Sequence, residues 1–194
     1  MRESIPLRER RIDFLYLGFW LLNLTYITYI VDVEQLIIAD PSNFEYPLWP
    51  PPFFVDMVHW WGHTYDPVLL ARPPWWRATI WIDSLLFGPF YAFALYAYWK
   101  GRDWIKNPSL IWSGLMFANV TIILFEEMLG EHATPEPGIV LLANAPWLLM
   151  PLATAARVWS TYPFTRPASH AAPETRDSAE APAAEPDATE PDAV

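Results

Sequence analysis

Residues 78–99 read ATIWIDSLLFGPFYAFALYAYW, and this stretch of 22 residues carries a single charge, that of Asp83. A helix rises about 1.5 Å per residue, so the stretch is long enough for a bilayer core of roughly 30 Å. Three further stretches are as apolar and contain no charge: residues 14–31, 108–125 and 137–156. The sequence therefore predicts an all-α integral membrane protein with four transmembrane helices. Buried helices of a soluble protein are the alternative.

The composition excludes several classes of function. The chain of 194 residues has no cysteine, so it contains neither a disulfide nor a thiolate metal site. Its 12 Lys+Arg against 22 Asp+Glu give no basic footprint for nucleic acid, and we expect no such partner. The sequence contains no nucleotide-binding or hydrolase motif, and we expect no cofactor and no metal.

Charges outside the predicted helices indicate how the chain crosses the membrane. Lys and Arg concentrate before the first helix, between the second and third, and after the fourth. The positive-inside rule then predicts that both termini lie in the cytoplasm. The membrane is expected to be either a bacterial inner membrane or that of the endoplasmic reticulum. We expect three parts: a cytoplasmic N-terminus (1–11), a four-helix membrane domain (12–160) and a disordered acidic cytoplasmic tail (161–194).

The connection between the first and second predicted helices, residues 39–77, is unusually long and aromatic. It contains YPLWPPPFF (46–54), HWWGH (59–63) and PPWW (73–76). Such rings favour the headgroup region, so we predict an aromatic, Pro-rich interfacial cap. A plain aromatic belt is the alternative for most of these tryptophans. His59 and His63 are spaced i,i+4, but without a third ligand interfacial histidines are favoured over a metal site.

Polar side chains recur in the non-cytoplasmic half of all four predicted helices, where ionisable groups are costly and call for a partner or a function. The spacings Thr28–Asp32, Asn144–Trp147 and Asn119–Glu126 each place two side chains on one helix face. We therefore predict a pocket with a polar floor and aromatic walls. The candidate ligand-binding residues are Thr28, Asp32, Asp83, Glu126, Asn144 and Trp147.

Each of these residues has a structural alternative. Asp32, Glu126 and Glu127 can lie at helix ends in the interface, where charge costs little. Asp83 can cap the first turn of the second helix, and Asn144 can bind a neighbouring helix. If Asp32 and Asp83 do meet, one of them is expected to be protonated or to face a cation.

Short matches in the right order across residues 12–160 resemble the EXPERA superfamily. They include IVDVEQ (30–35), YDPVLL (65–70) and NAPWLLMP (144–151). The likeness is greatest to the sigma-2 receptor branch; the superfamily also contains the emopamil-binding protein, a sterol double-bond isomerase. The resemblance implies four or five transmembrane helices around a lipid-facing cavity, often in a homodimer.

The resemblance also assigns roles to residues. Asp32 matches an acid that engages the ligand amine, Asp66 matches a structural acid of the cap, and Asp83 falls where the family has an acid on helix two. Asn144 and Trp147 match the isomerase's Asn-x-x-Trp, in which the ring face stabilises cations.

Two functions follow from these observations. The first is membrane-embedded binding or carriage of a sterol-like or isoprenoid lipid, or of a hydrophobic amine. The alternative is a sterol or terpenoid double-bond isomerase or cyclase, with Asp32 and Asp83 as catalytic acid and base acting through a carbocation. Thr28 stands where the isomerase has a histidine, which favours the binder. A scaffold whose acidic tail recruits partners is a third, purely structural hypothesis.

Overall fold

The computed structural model describes residues 1–168, which fold mainly into helices. In chain order these are α1 (Asp13–Ile37), α2 (Pro52–Thr64), α3 (Val68–Ala71), α4 (Pro74–Lys100), α5 (Asp103–Leu129) and α6 (Pro137–Arg157). A short 3₁₀ turn, Leu7–Glu9, precedes α1. Four of the helices, α1, α4, α5 and α6, are long and apolar enough to cross a membrane. The predicted all-α, four-helix membrane architecture is confirmed, and each predicted span lies inside its helix.

Two of the membrane helices contain a π-helical segment, in which hydrogen bonds run from i to i+5. Helix α1 is α-helical over Asp13–Leu22, π-helical over Asn23–Asp32 and α-helical again over Val33–Ile37. Helix α4 is α-helical over Pro74–Ile82, π-helical over Asp83–Phe87 and α-helical over Gly88–Lys100. Asp32 ends the first π segment and Asp83 begins the second. Segments of this kind are frequent at functional sites.

Aromatic rings from α1, α4 and α5 form the core of the bundle. Trp20 is fully buried, with its ring centroid 4.8 Å from that of Trp112 and 5.9 Å from those of Tyr91 and Tyr98. Helix α6 packs mainly along α5. Its outer face carries exposed leucines, as expected of a helix that faces lipid.

The two ends of the described chain meet on one side of the bundle. Strand β1 (Arg2–Ser4) pairs antiparallel with β2 (Thr165–Pro167). Beneath them, Asp13 is buried between Arg10 and Arg157, whose Nε lies 2.7 Å from Asp13 Oδ1. This ion cluster ties the start of α1 to the end of α6.

The predicted disordered tail starts too early. Residues 161–168 are packed against the bundle, because Phe164 is fully buried and its N–H donates a 2.8 Å hydrogen bond to Asp103. The Thr165 hydroxyl also donates to Asp103. The remainder of the predicted tail, residues 169–194, lies outside the described residues.

The residues predicted to form a cap fold into the two helices α2 and α3. Helix α2 starts at a proline, which suits the first helical turn, where no N–H donor is needed. Val55, Val58 and Gly62 face inward, and a Cβ at Gly62 would come within 2.6 Å of the Leu70 side chain. The cap therefore packs as one unit over one end of the bundle.

Candidate ligand-binding cavity

A cavity of about 420 Å³ lies between the membrane helices and the cap. Its walls are mostly apolar and aromatic, with contributions from Val31, Trp61, Ile80, Val120 and Trp147. Pockets for small organic ligands typically span about 300–1,000 Å³ and have this composition. The cavity therefore has the size and lining for one small hydrophobic molecule.

Asp32 and Asp83 face each other in the wall of this cavity. They are 5% and 8% exposed, and the two carboxyl groups are near neighbours. Thr28 Oγ1 donates to Asp83 Oδ1 at 2.6 Å, and Tyr91 Oη donates to Asp83 Oδ2 at 3.4 Å. Asp32 Oδ2 is buried without a partner. Because two buried carboxylates side by side repel each other, the pair holds a proton or receives a cationic group.

The structure decides between the sequence-level alternatives for these residues. Asp83 lies nine residues after Pro74, the first residue of α4, so it does not cap the helix. Asp32 is buried in α1 and does not face the interface at a frayed end. Thr28 reaches the site through Asp83 and does not itself line the cavity.

A second acidic group lies in the same cavity, where the cap meets α5 and α6. Glu127 and Asp66 are near neighbours, and Asn144 Nδ2 donates to Glu127 Oε2 at 3.2 Å. Burial raises the pKa of Asp66 to about 6. Asp66 was expected to be structural, and it does lie near the Val68 N–H at the start of α3. It also lines the cavity.

Glu126 was predicted to line the pocket, and the structure places it elsewhere. Its Oε1 accepts a 2.9 Å hydrogen bond from the His132 backbone N–H, and His132 Nδ1 also lies at 2.9 Å. Glu127 takes the cavity position, because it continues the helical spacing of the lining residues Val120 and Ile123. Adjacent residues differ by about 100° around a helix, which turns Glu126 to the outside. Asn119 does line the cavity.

Asn144 and Trp147 both line the cavity, as predicted, and Trp147 has a partner that sequence reasoning missed. Its indole Nε1 donates to Asn23 Oδ1 at 2.7 Å, and Asn23 Nδ2 donates to the Phe19 carbonyl at 2.8 Å. Asn23 is fully buried and begins the π segment of α1. The sequence does contain a signal for Asn23, which is a polar amide side chain within the apolar stretch 14–31.

The cap is held to α1 by a buried ion cluster that the sequence did not reveal. Arg72 Nη2 donates to both carboxylate oxygens of Glu34, at 2.9 and 2.8 Å, and His59 Nε2 lies 2.8 Å from Glu34 Oε1. Arg72 also donates to the Ile38 carbonyl. His59 therefore binds a carboxylate, whereas His63 is exposed. Within residues 1–168 no cluster of three metal-ligating side chains occurs.

The cavity is acidic. Four acids line it and, within the described part of the chain, no Lys, Arg or His does. A buried carboxylate without a counter-charge is costly, so an occupant that brings a positive charge or hydrogen-bond donors is favoured. The four acids are Asp32, Asp66, Asp83 and Glu127.

Comparison with known proteins identifies relatives of this chain. Residues 53–158, from the cap to the end of α6, match the family described as EXPERA (EXPanded EBP superfamily). Sigma intracellular receptor 2 of Xenopus tropicalis is 27% identical over 137 residues, covering 65% of this chain and 75% of that protein. The Macaca fascicularis and Homo sapiens proteins of the same name are also 27% identical, over 112 and 110 residues. These two matches cover 58% and 57% of those proteins, less than two thirds of their length.

Proposed function

Since the chain belongs to the EXPERA superfamily, we propose that it binds a sterol-like or isoprenoid lipid, or a hydrophobic amine, inside the membrane. The matches also bear out the resemblance to the sigma-2 receptor branch. The observation that carries the proposal is an apolar, aromatic cavity with the buried Asp32–Asp83 pair in its wall. Relatives named as receptors support binding as the primary role.

The acid pair supplies the polar anchor in this proposal. Asp32 Oδ2 is free to accept a hydrogen bond, while Asp83 is already held by Thr28 and Tyr91. An ammonium group placed there supplies the counter-charge and the hydrogen-bond donors that the two carboxylates need. The ring of Trp147 lines the same cavity and can stabilise the cation through its face.

We further propose that both termini are cytoplasmic. The pairing of β1 with β2 brings the two ends of the described chain together, and the Lys- and Arg-rich loops lie on that same side. The cap and the cavity then lie toward the opposite face of the membrane. The cap's exposed rings, such as those of Phe53 and Trp60, suit the headgroup region.

A direct binding measurement tests the proposed function. The full chain in lipid nanodiscs is titrated with a radiolabelled steroidal tertiary amine. Asp32→Asn should weaken binding at least about tenfold, because one charge-assisted hydrogen bond is lost. Asp56→Asn is the matched control, since Asp56 is an exposed acid on α2 that binds Tyr46. Equal affinities of wild type and Asp32→Asn would contradict the proposal.

A proton-transfer enzyme is the second candidate, favoured by one observation. Two buried carboxyl groups beside an apolar cavity have the parts of an acid–base catalyst. Incubation in deuterated water with a sterol and terpenoid panel separates the two candidates. Deuterium incorporated by the wild type, and not by the Asp32→Asn, Asp83→Asn double variant, would establish an isomerase or cyclase. A lipid that co-purifies with the wild type without incorporation supports the binder.

A further inference from the structure

The proposed function uses Asp32 and Asp83 and leaves the second acidic group of the cavity without a role. Asp66 and Glu127 are 4% and 1% exposed, yet both line the cavity. They are as deeply buried as the first pair. Four acids thus face one apolar space in two separate groups.

The second group is incompletely satisfied by the protein. Glu127 receives its side-chain hydrogen bonds from Asn144, and Asp66 Oδ1 is buried without a partner. Buried polar atoms are normally hydrogen-bonded, so an unpartnered carboxyl oxygen in a cavity wall indicates a site for a donor. The loop after α5 is held by main-chain and hydroxyl groups: Thr134 N–H donates to the Glu127 carbonyl, and Thr134 Oγ1 donates to the Tyr65 carbonyl. The Glu127 carboxyl is not needed for those contacts.

The two acidic groups occupy different parts of the cavity wall. Asp32 and Asp83 lie in the π-helical segments of α1 and α4, whereas Glu127 is two residues from the end of α5, beside the cap residue Asp66. Ile80, Val120 and Ile123 also line the cavity.

We infer that Asp66, Glu127 and Asn144 form a second polar subsite, which accepts a hydrogen bond from the far end of the ligand. The inference rests on the proposed function and narrows its ligand class. The favoured ligand is an elongated hydrophobic molecule with an amine at one end, held by Asp32 and Asp83, and a hydroxyl or second amine at the other. A molecule with one polar end leaves an acid of the second group unpartnered.

A pair of probes tests the second subsite. One is a rigid steroidal amine with a hydroxyl group at the opposite end of the ring system, and the other is its deoxy analogue. Both are titrated against the full chain in nanodiscs. The wild type should bind the hydroxylated amine about tenfold more tightly, as expected for one hydrogen bond to a carboxylate. Glu127→Met should bring the two affinities within about twofold, and Glu127→Gln, which keeps an acceptor, should retain part of the preference.

The outcomes separate this inference from the function on which it rests. Asp32→Asn should weaken the binding of both amines and leave the preference for the hydroxylated amine intact. Equal binding of both amines by the wild type, with dependence on Asp32 preserved, would overturn the second subsite and leave the proposed function standing. Binding of neither amine would overturn both. Unchanged preference in a folded Glu127→Met variant, verified by thermal unfolding, would also overturn the second subsite.

Discussion

Single residues outside the cavity wall orient the side chains that line the cavity. Asn23 binds the indole N–H of Trp147 and, through its own amide, the Phe19 carbonyl. The indole ring is therefore fixed across the gap between α1 and α6. A cation–π contact depends on the ring face meeting the cation, so Asn23 is expected to act on ligand choice through Trp147.

Asn23→Leu tests this role by comparing a cationic amine with its neutral carbon isostere. The ratio of the two dissociation constants should fall about threefold or more, because the ring is free to turn away from the cation. Thr25→Val is the control, since Thr25 is exposed on the same helix. A purely structural role for Asn23 would weaken both ligands equally and leave the ratio unchanged.

Gly88 of α4 packs closely against α1 beside the acid pair. A Cβ at this position would lie 2.9 Å from Thr28 Cγ2. Gly88→Ala should therefore lower the free energy of unfolding by about 1–3 kcal/mol through overpacking, and displace the Thr28 hydroxyl from Asp83. Gly114→Ala is the matched control, because a Cβ there meets no atom within 4 Å. Thermal unfolding in nanodiscs checks the pair, and an equal response of both variants would contradict the prediction.

At the scale of elements, the cap depends on a few buried ionic contacts with the end of α1. Arg72 neutralises Glu34, and His59 of α2 contacts the same carboxylate. Removing one partner of a buried ion pair leaves an uncompensated charge, which typically costs about 3–5 kcal/mol. The cap is expected to detach before the membrane helices unfold.

Arg72→Leu should consequently speed hydrogen exchange across residues 39–72 while α4 and α5 stay protected. Arg77→Leu removes an arginine from the first turn of α4 and serves as the control. The double variant Arg72→Leu, Glu34→Leu should recover part of the protection, because it removes the buried charge together with its partner. Uniform loss of protection throughout the chain would show that the cluster stabilises the whole fold and not the cap.

At the scale of the whole molecule, Asp66 links stability to pH. Burial raises its pKa to about 6, whereas an unfolded Asp titrates near 3.9. The folded protein therefore prefers the protonated acid, and this preference stabilises it at low pH. The stabilisation is lost as pH rises from about 4 through about 6, by at most about 3 kcal/mol.

The melting temperature in nanodiscs should accordingly fall between pH 4 and pH 7. Asp66→Asn, which keeps the size of the side chain, should make the fall in that part of the profile smaller. Glu127 faces Asp66 and titrates in the same environment, so Glu127→Gln is measured beside it. A wild-type profile that is flat over this range would contradict the assignment.

The sequence predicted the architecture well because the length and hydropathy of each span are local properties of the chain. It also predicted that Asp32, Asp83, Asn144 and Trp147 lie around one pocket. The sequence pointed to Glu126, whereas Glu127 lines the cavity, because the packing of α5 decides which of two adjacent residues faces inward. The Arg72–Glu34 contact and the packing of residues 161–168 join segments that are distant in the sequence. Neither contact produces a regular residue spacing from which it could be predicted.

In the π-helical segments of α1 and α4, the number of residues is as important as their identity. A π turn holds one residue more than an α turn, so deleting one residue between Asn23 and Asp32 could be absorbed by a return to α-helical spacing, which keeps the helix beyond in place. A deletion that is not absorbed in this way rotates everything beyond it by about 100° and would turn Asp32 away from the cavity, although every lining side chain was still encoded. Single-residue insertions and deletions inside the membrane helices are therefore a route by which related chains can diverge in ligand, while their hydropathy profiles remain the same.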